Sequence, residues 1–357
     1  MKVLHVIPCL AGGGAERQLQ YLNNSAALSD LEMHVAYLND GGVNIQEYGN
    51  VSLHKLKARS NYDPGLIVRL YLLIRRVDPH LVQSWLIHSD ILSAIVCLLT
   101  RKKWVARESN APGLRSGSSI KFLLRKLLFR FASGVISNSL AGYLYWKETY
   151  PKNRNILIEN GFPTQDIERE SIRELPSALL DNLGDYVVFV GRLESQKNIS
   201  RIIESMALVR GELKLVICGE GKLCQSLKDL AVDIGVDERI LFKGRTEKNK
   251  VYQLMRNAKG VVLMSHFEGF PNVAVEAMVC HSPLVVSDIA PHRSILSDDS
   301  AAFVNKDDPK EIALAIDGLL NNSDLASRRS AKAYQISQDL SLDVMAQKYR
   351  QLYLEME

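Results

Sequence analysis

Glu268 and Glu276 stand eight positions apart around the turn Gly269-Phe270-Pro271-Asn272-Val273. An apolar run from Gly260 to Met264 precedes them and reads as a buried parallel strand. The apolar run that follows reads as a helix. Pro271 suits the first turn of a helix, where its missing N–H costs nothing. The N–H groups of Asn272 and Val273 would then be free to receive an anion. A carboxylate just before those donors, and a second one two turns into the helix, can accept from ribose or sugar hydroxyls. The spacing alone also fits two solvated helix glutamates. Glu276 interrupts a run of Val273, Ala274, Val275, Ala277 and Met278, so it is expected to be half-buried and partnered.

A second set follows the apolar stretch Tyr186–Val190: Gly191-Arg192-Leu193-Glu194-Ser195-Gln196-Lys197-Asn198. Arg192 and Lys197 put a guanidinium and an ammonium on one loop, and together they can neutralise a diphosphate. Either alone reads as an ordinary surface cation. A third set is Ala11-Gly12-Gly13-Gly14-Ala15-Glu16-Arg17, between a strand at residues 2–8 and a helical stretch at 18–27. Glycines let a ligand approach the backbone, although a plain strand-to-helix turn has the same composition. The loop is neither Gly-x-Gly-x-x-Gly nor a P-loop.

The elements that must carry these loops alternate along the chain. Strands are expected at His34–Leu38, Val51–Leu56, Leu81–Trp85, Trp104–Arg107, Gly134–Ser139 and Asn155–Asn160, with a helix at Asp63–Val77. A polar, turn-rich stretch at 163–184 reads as a linker. Strands resume at Tyr186–Val190, Leu213–Cys218, Ile240–Lys243, Val261–Ser265, Leu284–Ser287 and Ala302–Val304. This predicts an α/β chain with two doubly wound parallel sheets, whose ligands sit at C-terminal strand ends. His88, Arg107 and Glu108 follow or close such strands, either as acceptor contacts or as paired loop residues.

The segment from Ser118 to Phe131 is apolar, with cations at Lys121, Arg125, Lys126 and Arg130. Spacings of i, i+4, i+5 and i+9 put the four on one helix side. Two readings stand: a basic amphipathic helix in an anionic membrane interface, or a core helix with a cationic outer face.

Composition bounds the function. The chain has 357 residues, 46% hydrophobic and 24% charged, which suits two soluble globular domains. A net charge of +4 does not mark a nucleic-acid binder. Cys9, Cys97, Cys218, Cys224 and Cys280 are scattered and read as reduced thiols of a cytoplasmic protein, with no metal motif. The opening residues read as a strand and not a signal peptide. No apolar run approaches the roughly 20 residues of a membrane span.

Glu268 to Glu276 with Gly-Phe-Pro-Asn-Val between them resembles the Glu-x7-Glu signature of the retaining glycosyltransferases of family 4. The Gly-Arg-Leu…Lys-Asn loop at 191–198 and the Gly-Gly-x-Glu loop at 13–16 resemble that family too, as do Cys218-Gly219-Glu220-Gly221 and Lys243-Gly244-Arg245-Thr246. The resemblance implies the GT-B fold, two Rossmann-like domains facing a cleft. Residues 1–162 would bind the acceptor and 185–336 the donor. A closing helix within 337–357, opened by Ser341 and Asp343, would cross back to the first domain. Donor contacts implied are Gly13, Gly14, Gly191, Arg192, Lys197, Gly219 and Arg245, and the stretch Glu268, Gly269, Phe270, Pro271, Asn272, Val273 with Glu276. Arg192, Lys197 and Glu268 would be catalytic, and Glu16, His88, Arg107 and Glu108 would face the acceptor.

The donor would be a nucleotide-diphosphate sugar, UDP-linked, handled without metal or other cofactor because no Asp-x-Asp motif ends a strand. The acceptor would be a lipid-linked glycan of cell-surface polysaccharide assembly, met by a cytoplasmic enzyme peripheral to the membrane. Alternatives are a non-catalytic nucleotide-sugar binder and a GT-B sugar epimerase. A nicotinamide oxidoreductase is disfavoured by the missing dinucleotide fingerprint. The chain departs from the family at Cys280-His281-Ser282-Pro283, where a glycine is usual; His281 is expected to take the left-handed conformation. It departs again at Pro291-His292-Arg293-Ser294, which lacks the usual glutamate, and at Ala301 and Ala302.

Overall fold

A computed structural model of the chain describes residues 1–10, 13–39, 48–49, 51–57, 60, 63–109, 120–174 and 183–357. Gly12 of the glycine loop, Ser118 and Ser119 of the basic segment and residues 175–182 of the expected linker lie outside the described residues. The chain divides into two units: Met1–Gly161 with Leu342–Glu357, and Phe162–Ser341.

The first unit is built on β1 (Lys2–Cys9), β2 (Glu32–Asn39), β3 (Ser52–Lys55), β4 (Leu81–Trp85), β5 (Lys103–Glu108), β6 (Gly134–Ser137) and β7 (Asn155–Leu157). All pair in parallel, in the order β3-β2-β1-β4-β5-β6-β7. Strands covered on both faces read as unbroken apolar runs, and alternate β1 residues divide between two cores. Val3 and Ile7 face a core with Leu19 and Leu22 of α1 (Gly14–Asn23). Leu4 and Val6 face α2 (Gly65–Val77), α3 (Ile87–Thr100), α4 (Ile120–Phe129) and α5 (Leu140–Thr149) through Leu70, Val96, Phe129 and Trp146. The closing helix Leu342–Met356 joins the α1 side, where Tyr349 and Tyr353 are fully buried.

The second unit carries β8 (Tyr186–Val190), β9 (Lys214–Cys218), β10 (Ile240–Gly244), β11 (Gly260–Leu263), β12 (Leu284–Ser287) and β13 (Ala302–Val304), again parallel, in the order β10-β9-β8-β11-β12-β13. Its helices are α6 (Thr164–Ser171), α7 (Ile199–Met206), α8 (Cys224–Asp233), α9 (Lys248–Asn257), α10 (Asn272–Val279), α11 (Ala290–Arg293), α12 (Pro309–Asn321) and α13 (Ser323–Gln338). The last helix described, Leu342–Met356, is α14. Asp308 caps α12 through the Lys310 and Glu311 amides, with Pro309 in the first turn.

Two boundaries differ from expectation. The stretch from 163 is not simply a linker: Thr164–Ser171 is helical, and Ile167 joins the second unit's core at 2% exposure. Its polar residues belong to the outer side of an amphipathic helix. The closing helix begins at Leu342, where Ser341 and Asp343 placed its start, while residues 337–341 belong to the second unit, α13 running to Gln338. His281 has φ 54°, the left-handed conformation its position required.

Candidate active site

In the second sheet the chain runs outward from β8 through β9 to β10, then returns to pair β11 against the other side of β8. The loops leaving β8 and β11 therefore part at a topological switch point, where open α/β sheets bind ligands. Backbone bonds lace the loops on the β8 side. Gly191 N–H donates to Cys218 O at 3.0 Å, Leu193 N–H to Glu220 O at 2.9 Å and Gly219 N–H to Gly244 O at 2.8 Å. The approach is so close that a Cβ on Gly219 (φ 153°) would lie 1.8 Å from the Gly191 carbonyl oxygen. Only glycine fits there. A cavity of about 430 Å³ opens among these loops, lined by Gly191, Arg192, Gly219, Arg245, Thr246 and Val251.

Across the switch point the β8 and β11 loops are zipped together. His266 N–H donates to Gln196 O at 2.9 Å, and Gln196 Nε2 donates to Phe267 O at 2.9 Å. This seats Lys197, closing a 3-10 turn, against Glu268: Nζ to Oε1 is 2.5 Å. Both side chains are mostly buried, at 15% and 12% exposure. The same Oε1 accepts from Ser265 Oγ at 2.6 Å. Behind them Ser287 Oγ donates to Ser265 O at 2.9 Å, and buried His292 uses Nδ1 on Ser287 O at 2.9 Å. A carbonyl only accepts, so Nδ1 carries the proton, and burial holds this imidazole below its ordinary range. Arg192 stands on the open side, 64% exposed, bonded to Glu194 at 2.9 Å.

The helix start needs one correction. The Asn272 N–H is not free: it donates to Phe270 O at 2.9 Å. Pro271 caps α10 just before its first residue, and the tight turn folds that amide back. Among the described residues the Val273 N–H has no backbone acceptor, while Ala274 and Val275 both donate to Pro271 O. Glu276 is half-buried, as its place in an apolar run required. Phe270 is buried and stacks on Phe162 at 6.3 Å. Arg245 is exposed beside its cavity. Gln196 and Ser265 escaped sequence reading, since they act through loop neighbours distant in the chain.

In the first unit the expected acceptor-side residues are less available. Glu16 is buried at 7% and folds back: a Cβ on Gly13 would meet its Oε2 at 2.0 Å. Gly14 opens α1 with free space around it. His88 is half-buried in the first turn of α3, held below the usual imidazole range by burial and by Lys121. Arg107 is no loop contact. It is fully buried, 4.4 Å over the Trp85 ring, with Nη2 donating to Asn160 Oδ1 at 2.9 Å. Glu108 is 1% exposed and accepts from Trp146 Nε1 at 3.2 Å.

The basic segment is inverted relative to expectation. Arg125 is 4% exposed, with Nε on Asp90 Oδ2 at 2.7 Å and Nη1 on Glu108 Oε2 at 2.6 Å. Two buried carboxylates hold it inward more strongly than solvent would hold it out. Lys121 and Arg130 are exposed and Lys126 is half-buried. The outward face of α4 is apolar: Ile120, Leu123 and Leu127 are 84%, 67% and 52% exposed.

Residues 173–336 match the family model described as Glycosyl transferases group 1. The matched residues lie within the second unit. An uncharacterized glycosyltransferase of Methanocaldococcus jannaschii is 24% identical over 342 residues, 92% of this chain and 91% of its own length. Other matches are partial. The chain spans 36% of another glycosyltransferase of that organism, at 34% identity over 38% of the chain. It spans 57% of the Campylobacter jejuni N-acetylgalactosamine-N,N'-diacetylbacillosaminyl-diphospho-undecaprenol 4-alpha-N-acetylgalactosaminyltransferase, at 28% identity over 60% of the chain. The crystal structure of Anabaena HepE in complex with UDP shares the fold: TM-score 0.85 at 20% identity, over 99% of this chain and 100% of that one. The fold is thus that of the GT-B glycosyltransferases, and the matched residues hold the second unit's loops described above.

Proposed function

We propose that the chain is a retaining glycosyltransferase that moves a sugar from UDP to a lipid-linked glycan. The reading rests on one observation above the others: Lys197 meets Glu268 at the switch point, on the loop that leads into α10 and its Val273 amide. Arg192, Lys197 and that amide neutralise the diphosphate, and such electrostatic stabilisation is commonly the largest catalytic contribution. Glu276 accepts from the ribose hydroxyls. Glu268 orients the donor sugar, and the laced glycines admit the nucleoside into the cavity by Arg245 and Thr246.

The acceptor hydroxyl attacks the anomeric carbon on the face from which UDP departs. As the C–O bond to the β-phosphate breaks, the hydroxyl proton passes to the leaving phosphate oxygen. No dedicated base and no bivalent cation is required. A lipid-linked acceptor is supported by the apolar outer face of α4, with Lys121 and Arg130 exposed at the two ends of the helix, and by the diphospho-undecaprenol in the name of the Campylobacter relative. Peripheral contact with an anionic membrane is supported by that face. Among the described residues no helix is long and apolar enough to cross a membrane.

The test is transfer from UDP-sugars to diphosphate-linked lipid glycans, with and without a chelator, and the anomeric configuration of the product read by NMR. Retained configuration and chelator-resistant turnover are expected. Turnover abolished by chelation, or an Arg192→Ala/Lys197→Ala variant at the native rate, overturns the proposal. Donor consumed without acceptor identifies an epimerase, and donor bound but never consumed identifies a binding protein.

A further inference from the structure

The first unit carries a cavity that the donor chemistry does not use. It has a volume of about 490 Å³ and lies between the sheet's edge strand β3 and helix α2. Its walls set Lys55, Lys57, Arg69 and Arg76 among leucines, and among the described residues no carboxylate lines it. Asp63 pairs with Arg69 of the lining at 2.8 Å. Arg69 Nη1 also donates to the Lys57 carbonyl at 3.2 Å, tying helix to strand exit. Lys57 itself has φ 48°, so the chain turns sharply at the cavity mouth. Helix α2 contributes no acid along its length, and Leu72 at its rim is 60% exposed.

Four cations ring one groove, Arg69 among them paired with Asp63, and like charges this close raise the local positive potential. The leucines between them lower the dielectric, which strengthens any charge–charge contact made there. Two guanidiniums and two ammoniums suit phosphoryl oxygens in number and geometry, since Arg forks bind them bidentately and Lys binds as a point charge. We infer that the groove between β3 and α2 binds a phosphate or diphosphate group. The apolar rim admits a ligand whose phosphate adjoins a hydrocarbon portion. This inference stands apart from the donor reading, since every residue it uses lies in the first unit.

Two probes separate the sources of such a group, each applied to the full chain. Calorimetric titration with inorganic pyrophosphate tests a free phosphate. Co-sedimentation with phosphatidylcholine vesicles, with and without phosphatidylglycerol, tests a lipid headgroup. Each is run on the native chain, on Lys57→Gln/Arg76→Gln, and on Arg192→Ala/Lys197→Ala, which removes two cations of the second unit's candidate site. The groove variant should bind at least about tenfold more weakly in one arm, while Arg192→Ala/Lys197→Ala keeps the groove's signal. Loss in the pyrophosphate arm assigns a free phosphate; loss in the vesicle arm alone assigns a headgroup. Lys57→Gln, at an exposed side chain, replaces the double variant if the latter melts earlier. Equal binding of both probes by native chain and groove variant overturns the inference.

Discussion

Lys197 Nζ lies 2.5 Å from Glu268 Oε1, an oxygen that also accepts from Ser265 at 2.6 Å. The ammonium is therefore already neutralised before any ligand arrives, and a diphosphate must compete for it. Lys197→Ala and Arg192→Ala should each slow sugar transfer on the order of 10²-fold, as loss of an oxyanion donor does. Glu268→Gln removes the competing charge. UDP should then bind several-fold tighter by calorimetry while steady-state transfer falls. Weaker UDP binding by Glu268→Gln would show that the pair does not compete with the ligand.

Gly219→Ala places a methyl 1.8 Å from the Gly191 carbonyl and forces the β8 and β9 loops apart. Backbone cannot yield as a side chain does, so stability should fall by about 1–3 kcal/mol and nucleotide binding should be lost. Gly14→Ala, in open space at the start of α1, is the control. It should leave melting unchanged or raise stability by up to about 1 kcal/mol. Thermal melts with and without UDP read both.

Arg125→Ala strands Asp90 and Glu108 as uncompensated carboxylates in a dry core. The expected cost is about 3–5 kcal/mol in a denaturant melt. A loss below about 1 kcal/mol would mean that Arg125 is solvated on the outside of α4 after all.

Burial pushes the Asp90 carboxyl up to about 6, against the pull of Arg125 and Ser84. Its unfolded value is about 4, so the folded state holds the proton more tightly. Ionisation of Asp90 then costs stability as pH rises through 6, and the cost is relieved as pH falls from 6 towards 4. Between pH 7.5 and 5 the native chain should gain melting temperature relative to Asp90→Asn. Parallel curves for the two proteins would contradict this linkage.

Leu123→Ser/Leu127→Ser changes only the outward face of α4, where both leucines are exposed. Folding should be unaffected, and binding to anionic vesicles should fall by about tenfold or more, since each leucine side chain is worth roughly 1.5–3 kcal/mol of burial. Unchanged co-sedimentation would remove α4 from the membrane contact.

The strands were legible because sheets covered on both faces need unbroken apolar runs, and β4, β8, β12 and β13 fall where the runs placed them. Lys197 and Glu268 could each be picked from type and position. Their contact could not, because it arises from β11 pairing with β8 across the switch point, 71 residues apart. Arg125 misled for a related reason. A spacing of cations on one helix says nothing of carboxylates on α3 and β5 that draw one of them inward. The Asn272 amide was lost to a turn in which Phe270 O lies within reach, a feature of backbone angles that residue types left open.

The first unit is interrupted by the second, so order of synthesis and order of completion differ. When residue 341 has emerged, every strand and helix of the second sheet exists. The first still lacks Tyr349 and Tyr353, whose rings fill the layer beneath Trp85 and His5. Domains generally fold as units during synthesis. Here the half begun earliest is sealed last, and a nascent chain paused before α14 presents a finished second unit attached to an open first one.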